Sequence, residues 1–165
     1  FTLPRITYSN DVGRILFTKI LQKSLMTTPN LLIVNPRDIP YIWNQVKPLV
    51  DKALEYSSGE ITSNDLLKLL LNGRNELWCG IDDTGVTSAG ITEIVTYPQK
   101  RILRIITWAT RSGKDQELWT GALSNVEEYA RHNGCDLLEA YARKGLAKKL
   151  KWDSELVIIT KNLGD

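Results

Sequence analysis

Three β-prone runs between residues 76 and 110 constrain the fold of this chain more than any other feature of its sequence. The runs at 76–82, 86–97 and 101–110 are rich in β-branched and aromatic residues, which favours strands. Asp83-Thr84-Gly85 separates the first two, and Tyr97-Pro98-Gln99-Lys100 separates the second two; both compositions are typical of turns. Connections this short join only neighbouring antiparallel strands. The sequence therefore predicts a three-stranded meander.

Helical patterns lie on both sides of the meander. Apolar residues recur at helical spacing in 36–57, where Pro48 predicts a kink or a break, and in 61–74, where Thr62 or Ser63 can cap the helix. A third amphipathic pattern follows the meander and ends at Asn133-Gly134, a typical helix exit. The remaining predictions are strands at 31–35, 135–143 and 154–163 and a short basic helix at 144–152.

The resulting order is β-α-α-β-β-β-α-β-α-β. A strand, a helix and a further strand in succession imply a right-handed crossover and a parallel pair of strands. We therefore expect an α/β fold, in which a mixed, mostly antiparallel sheet is flanked by helices.

The first 30 residues are set apart from this pattern. Residues 1–25 carry four basic side chains against one acid, with apolar residues at helical spacing after Asp11, and Met26 follows directly. We expect residues 1–30 to form an N-terminal extension or arm and 31–165 to form the domain. The alternative is that the segment is a helix whose apolar face docks on the domain.

Composition narrows the function classes only in part. The chain has 165 residues, 42% hydrophobic and 24% charged, with a net charge of +2, which is too small to indicate a nucleic-acid or acidic-lipid partner. Two cysteines without C-x-x-C spacing and one histidine argue against a metal site and assign no disulfide. No apolar run approaches the ~18 to 20 residues that span a bilayer. We expect a soluble protein of the cytoplasm with reduced cysteines.

The second half of the chain carries a resemblance to a known family. In "RILRIITWATRSGKDQELWTGALSNVEEYARHNGCDLLEAYARKGLAKKLKW" an apolar strand is followed by a loop, a helix, "NGCD" and another strand. This succession resembles the cofactor-binding half of the GNAT family of acyl-CoA-dependent N-acyltransferases, and the similarity covers roughly 31–163. The stretch "ARKGLAKKLK" is also similar to the G-R-x-G-W-x-x-x-L stretch of small GNAT-like proteins encoded beside phage morphogenesis genes, in which the fold persists without assured catalysis.

The resemblance implies a site for acetyl-CoA where the fourth strand parts from the fifth. The pantetheine arm would pair with the strand backbone, and the pyrophosphate would lie at the N-terminus of the next helix. The implied positions are Ile106, Thr107, Trp108 and Ala109 for the arm, and Arg111, Ser112, Gly113 and Lys114 for the pyrophosphate.

The loop itself departs from the family pattern Arg/Gln-x-x-Gly-x-Gly/Ala. Anchored at Arg111, the pattern places Lys114 and Gln116 where small residues belong, and Asp115 and Glu117 would repel a pyrophosphate. The same acids suit a helix N-terminus that binds no anion. Both interpretations stay open, a phosphate-binding loop and a simple turn into a helix.

The resemblance also implies catalytic roles. GNAT enzymes often take their base from a carboxylate on the meander, which favours Glu93, and their acid from a tyrosine after the fifth strand. "KGLAKKLKW" contains no tyrosine, so Tyr141 on the preceding strand is the substitute. An outward-facing glutamate and a tyrosine that only packs are the structural alternatives for these two residues.

Two functions follow as expectations. The first is an acyl-CoA-dependent N-acyltransferase that acetylates an amine, either a small molecule or a protein, with a degenerate cofactor loop. The second is a catalytically inactive GNAT-like protein of a phage, structural or host-interacting and in that case virion-associated. The final strand leaves a homodimer open in either case.

Overall fold

The computed structural model describes residues 31–113, 122–142, 144–154 and 156–164. The five strands are β1 (Leu31–Val34), β2 (Asn75–Asp82), β3 (Gly85–Thr96), β4 (Arg101–Thr110) and β5 (Leu137–Ala140). The four helices are α1 (Ile39–Leu54), α2 (Ser63–Leu71), α3 (Leu123–His132) and α4 (Lys144–Leu150), and a 3-10 turn (Pro36–Asp38) precedes α1.

The strands form one sheet in the order β1-β2-β3-β4-β5. The first three pairings are antiparallel, and β4 pairs with β5 in parallel across the crossover that contains α3. The predicted meander and the mixed, mostly antiparallel sheet are confirmed. The meander forms because Asp83-Thr84 and Tyr97-Lys100 reverse the chain; Thr84 N donates to Asp82 Oδ1 over 2.7 Å, and Tyr97 N donates to Lys100 O over 2.7 Å.

Each face of the sheet has its own apolar cluster. On one face α1 and α2 cover β-strand residues such as Leu77, Ile91 and Ala109. On the other face Val126 and Ala130 of α3 pack with Trp78 and Leu103. Because side chains alternate along a strand, each of the strands β1 to β4 contributes to both clusters.

The helix ends follow the sequence at α2 and depart from it at α1. Thr62 and Asp65 form a capping box, in which Asp65 N donates to Thr62 Oγ1 over 3.2 Å and Thr62 N donates to Asp65 Oδ2 over 3.0 Å. Pro48, by contrast, does not split α1, which runs without a break to Leu54. Pro48 and Asn44 are both exposed, so the Asn44 carbonyl, which the proline leaves without an intrahelical donor, lies on the solvent side of the helix where water can bond it.

The final predicted strand does not form. Residues 156–164 have no regular secondary structure, and Leu156 and Ile159 are 93% and 87% exposed. A strand is stabilised only by pairing with a neighbour, and β propensity without such a pairing is insufficient. The predicted arm at 1–30 and the residues 114–121 lie outside the described residues.

Candidate functional site

The parallel ladder between β4 and β5 is short. It contains four Cα pairs, from Ile102–Leu137 to Ile105–Ala140. Strand β4 continues past the last pair to Thr110, and over this stretch it stays paired with β3. The ladder therefore ends at Ile105 and Ala140 while β4 runs on, and the place beside β4 beyond this point is called the wedge below.

A β-bulge lies at the point where the ladder ends. The register between β3 and β4 shifts from Thr92–Ile105 to Ile91–Thr107, so Ile106 is the additional residue on β4. A bulge increases the local twist and bends its strand. The bulge lies directly after the last residue of β4 that pairs with β5.

The four backbone positions implied for the cofactor arm form the β4 side of the wedge. Ile106 and Ala109 pack toward α1, whereas Trp108 packs with Trp78 on the opposite face. Thr107 is 5% exposed, and its Oγ1 has no hydrogen-bond partner among the described residues. These side chains pack on the two faces of the sheet. A ligand in the wedge would therefore contact the backbone of 106–109.

The loop after β4 turns tightly and is held to the β2–β3 turn. Gly113 has φ of 73° and donates its N–H to Thr110 O over 3.2 Å. Arg111 Nη2 donates to Thr84 Oγ1 over 2.7 Å and lies 3.8 Å from Asp82 Oδ2, and its side chain is 52% exposed. Ser112 is exposed, and Lys114 lies outside the described residues.

A second cation reaches the loop from α1. Lys52 Nζ lies 3.5 Å from Thr110 O and 3.5 Å from the place that a side chain on Gly113 would occupy. Two cations, Lys52 and Arg111, are therefore present at the loop. Lys52 is not predictable from the sequence, because only the packing of α1 on the sheet brings it to the end of β4.

A polar row crosses the sheet beside the base of the wedge. Glu93, Arg104 and Glu139 are register partners on β3, β4 and β5. Arg104 Nη1 donates to Glu93 Oε1 over 3.2 Å, and Arg104 Nε donates to Glu139 Oε1 over 2.8 Å. The guanidinium is mostly buried, with 15% of the side chain exposed, while both glutamates are about twice as exposed, at 31% and 30%.

Two tyrosines complete this row. Arg104 Nη2 donates to Tyr97 Oη over 3.2 Å, and the Arg104 Cζ lies 5.0 Å from the centroid of the Tyr141 ring. Burial acts to lower the pKa of Arg104, but the hydrogen bonds to Glu139 and Tyr97 and the charge of Glu139 outweigh it and raise the pKa. The structure thus brings Glu93 and Tyr141 against one guanidinium.

Glu93 and Tyr141 are predicted from the sequence, whereas Arg104 and Glu139 are not. The sequence carries one signal for this pairing: Arg104 is a charged residue within a mostly apolar strand. A charged side chain that is mostly buried in a sheet requires a partner. Its partner Glu139 lies 35 residues further along the chain, and no local pattern relates the two.

Other kinds of site find no support in the described part of the chain. No group of three or more histidine, cysteine, aspartate or glutamate residues there could hold a metal ion. Among the described helices, none has the length and apolar character needed to cross a membrane.

The fold is that of known acetyltransferases. No protein-family model and no curated protein matches this chain. Similar solved structures include an aminoglycoside acetyltransferase from an uncultured soil metagenomic sample, with a TM-score of 0.61, 14% identity, and coverage of 81% of this chain and 95% of that chain. A ribosomal-protein-alanine N-acetyltransferase from Brucella melitensis biovar Abortus 2308 has a TM-score of 0.61 at 11% identity, with coverage of 81% and 99%.

A third similar structure carries the family name. It is a GNAT family acetyltransferase from Staphylococcus aureus, with a TM-score of 0.57, 18% identity, and coverage of 81% of this chain and 97% of that chain. The expected GNAT-type fold is therefore confirmed. At these identities the likeness concerns the fold alone.

Proposed function

We propose that the chain is an acetyl-CoA-dependent N-acetyltransferase that acts on an amine. The observation that carries the proposal is the end of the β4–β5 ladder at Ile105–Ala140 while β4 runs on to Thr110. A strand that leaves its parallel neighbour offers main-chain groups to an extended ligand, as an added strand would. The wedge is also where the resemblance places the cofactor.

The cations around the wedge suit the negative charge of acetyl-CoA. Its pantetheine arm would lie along the backbone of 106–109, and its pyrophosphate would lie near Lys52, Arg111, Ser112, Gly113 and Lys114. Lys52 and Arg111 can form charge-assisted hydrogen bonds to phosphate oxygens. The cofactor supplies an acetyl group activated as a thioester.

Two side chains of the polar row have the chemistry for the proton transfers. Transfer replaces the C–S bond of the thioester with a C–N bond, so the amine nitrogen must lose protons and the departing sulfur must gain one. Glu93 is the proposed base, because Oε1 accepts from Arg104 while Oε2 accepts no bond among the described residues. Tyr141 is the proposed acid, since its side chain is exposed beside the same guanidinium.

A second candidate is a GNAT-like protein without catalysis, such as a phage structural or host-interaction protein. The attachment of Arg111 to Thr84 and Asp82 favours it, because the guanidinium already has a partner when no phosphate is present. The absence of tyrosine from α4 favours it as well.

Calorimetric titration with acetyl-CoA separates the two candidates. An enzyme is expected to bind with a dissociation constant in the micromolar range, and Lys52→Glu is expected to weaken binding at least tenfold by placing a negative charge beside the phosphates. Lys68→Glu, on the exposed surface of α2, is the matched control and leaves the affinity unchanged. Absence of heat at millimolar acetyl-CoA refutes the enzyme and leaves the inactive protein.

A further inference from the structure

The turn between β2 and β3 contacts Arg111 in the loop that follows β4. Arg111 Nη2 donates to Thr84 Oγ1 over 2.7 Å and lies 3.8 Å from Asp82 Oδ2. Asp82 Oδ1 accepts from both the backbone N–H and the hydroxyl of Thr84. The turn therefore presents to one guanidinium a hydroxyl and a carboxylate that order each other.

The backbone of Arg111 is held independently of its side chain. A register shift between β2 and β3 makes Thr87 an additional residue on β3, and the Thr87 carbonyl accepts from Arg111 N over 2.7 Å. This bond does not involve the guanidinium, and the Arg111 side chain is 52% exposed. The guanidinium can therefore leave the turn by rotation of its side-chain torsions alone, which is fast at exposed positions.

The two cations at the loop have different surroundings. Lys52 Nζ lies 3.5 Å from a neutral group, the carbonyl oxygen of Thr110. Arg111 instead contacts a hydroxyl and lies near the negative carboxylate of Asp82. An anion at the loop would thus meet a second negative charge only at Arg111.

This carboxylate opposes the binding of a phosphate group to Arg111. A guanidinium binds phosphate most strongly through two parallel N–H groups, and the bond to Thr84 occupies one N–H of Nη2. Either the guanidinium leaves the turn, or the phosphate binds beside Asp82 and is repelled by it. Both alternatives lower the affinity for phosphate. Because the ion pair is about half exposed, the opposing free energy is small and the contact is readily displaced.

We propose that the β2–β3 turn is an internal competitor for a phosphate-bearing ligand at the loop after β4. Asp82 and Thr84 hold the Arg111 side chain in the free protein, and a pyrophosphate group displaces them. The turn thereby sets the affinity of the loop for polyphosphate. The identity of the ligand as acetyl-CoA rests on the proposed function; the competition for Arg111 does not.

Calorimetric titration with inorganic pyrophosphate tests the inference. Asp82→Asn keeps an acceptor for Thr84 and removes the charge, and we expect it to strengthen pyrophosphate binding about threefold to fivefold, the range for one exposed ionic contact. Thr84→Val removes the hydroxyl and is expected to act in the same direction. Asp83→Asn removes the same charge from the neighbouring exposed residue; it is the matched control, with a change below about 1.5-fold at physiological salt. Thermal melting confirms that each variant is folded.

A double-variant cycle shows whether the gain acts through Arg111. Two substitutions that act through the same contact are not additive, whereas independent ones are. In an Arg111→Gln background, the gain from Asp82→Asn is therefore expected to fall below about 1.5-fold. In a Lys52→Gln background the gain is expected to be retained.

Three results would overturn the inference: an equal gain in Asp82→Asn and Asp83→Asn, a gain that persists in Arg111→Gln, or pyrophosphate binding in none of the proteins. Titration with acetyl-CoA separates the inference from the proposed function. If pyrophosphate shows the gain but acetyl-CoA does not bind, the competition stands and the proposed enzyme fails. If acetyl-CoA binds equally tightly to Asp82→Asn and to the unaltered protein, the competition fails and the enzyme stands.

Discussion

At the scale of single residues, Gly90 occupies a position next to two tryptophans that leaves no room for a side chain. It is the register partner of both Trp78 and Trp108, and the Trp108 ring occupies the space that a Cβ on Gly90 would need. We expect Gly90→Ala to destabilise the fold by about 1 to 3 kcal/mol, because the indole must move out of a packed position. Urea unfolding followed by tryptophan fluorescence measures the effect.

Gly145→Ala provides the control for that substitution. Gly145 lies on α4, its φ is not positive, and nothing lies within 4 Å of an added Cβ. Alanine in a helix is favoured over glycine by roughly 0.5 to 1 kcal/mol, so this variant is expected to be no less stable than the unaltered chain. Equal stability of the two variants would show that the contact between Gly90 and Trp108 contributes nothing.

Glu76 gives the stability a predicted pH dependence. Burial raises the pKa of Glu76 above its ordinary value, although the hydrogen bond that Thr92 Oγ1 donates to Glu76 Oε2 over 2.7 Å opposes the shift, and the carboxylate of Glu93 adds to it. Thr92 in turn accepts from Trp78 Nε1 over 2.9 Å, which fixes the hydroxyl. The folded state therefore holds the Glu76 proton more tightly than the unfolded chain does.

This difference determines the sign of the prediction. The contribution of Glu76 to the free energy of unfolding is greatest below its pKa in the unfolded chain, about 4.3. This contribution falls as the pH rises through the pKa of Glu76 in the folded state. Glu76→Gln cannot ionise and still accepts from Thr92, so its melting temperature relative to the unaltered protein is expected to increase from pH 3.5 to pH 7. A difference in melting temperature that stays constant over this range would contradict the assignment.

At the scale of elements, side-chain and backbone hydrogen bonds attach the start of β5 to the start of β4. Arg101 N donates to Asp136 Oδ2 over 2.9 Å, Asp136 N donates to Arg101 O over 2.7 Å, and Arg101 Nε donates to Asn133 O over 2.8 Å. We expect Asp136→Ala to lower the free energy of unfolding by about 0.5 to 1.5 kcal/mol and to speed amide hydrogen exchange over 137–140.

Asp153→Ala is the matched control, since Asp153 is exposed and distant in sequence from the ladder. Exchange rates over 137–140 are expected to be unchanged in it. If Asp136→Ala leaves them unchanged as well, the backbone pairing of β4 with β5 must hold the short ladder without this side chain.

The same elements show which parts of the structure were predictable from sequence. The meander followed from local turn chemistry at Asp83-Thr84 and Pro98, and the helices followed from periodicity and from the Thr62 cap. The bulge at Ile106 was not predictable, because an additional residue in a continuous β-prone run leaves no local signature. The pairing of Arg104 with Glu139 depends on the register between strands that are far apart in sequence, which hydrophobic patterning does not specify for a half-polar row.

At the scale of the whole molecule, the C-terminal residues carry apolar surface that the sheet does not cover. The side chains of 156–159 are 70–93% exposed, and Leu163 is 90% exposed. Their β propensity predicted a strand, but without a partner they add no burial and hence little to the stability of the domain. A short apolar segment of this kind is an association hazard.

Truncation after Ser154 is therefore expected to change the free energy of unfolding by less than about 0.5 kcal/mol, as is usual for surface changes, and to reduce self-association at high concentration. Chemical denaturation and light scattering on size-exclusion chromatography measure the two effects. The double substitution Leu156→Ser and Ile158→Ser keeps the chain length and is expected to reduce self-association in the same way.

A different result would contradict this prediction. If truncation lowers the free energy of unfolding by more than about 1 kcal/mol, which is beyond the usual range for surface changes, the segment packs on the domain in solution. The uncovered part of β5 would then be the first place to look for it, because a strand edge attracts an apolar strand.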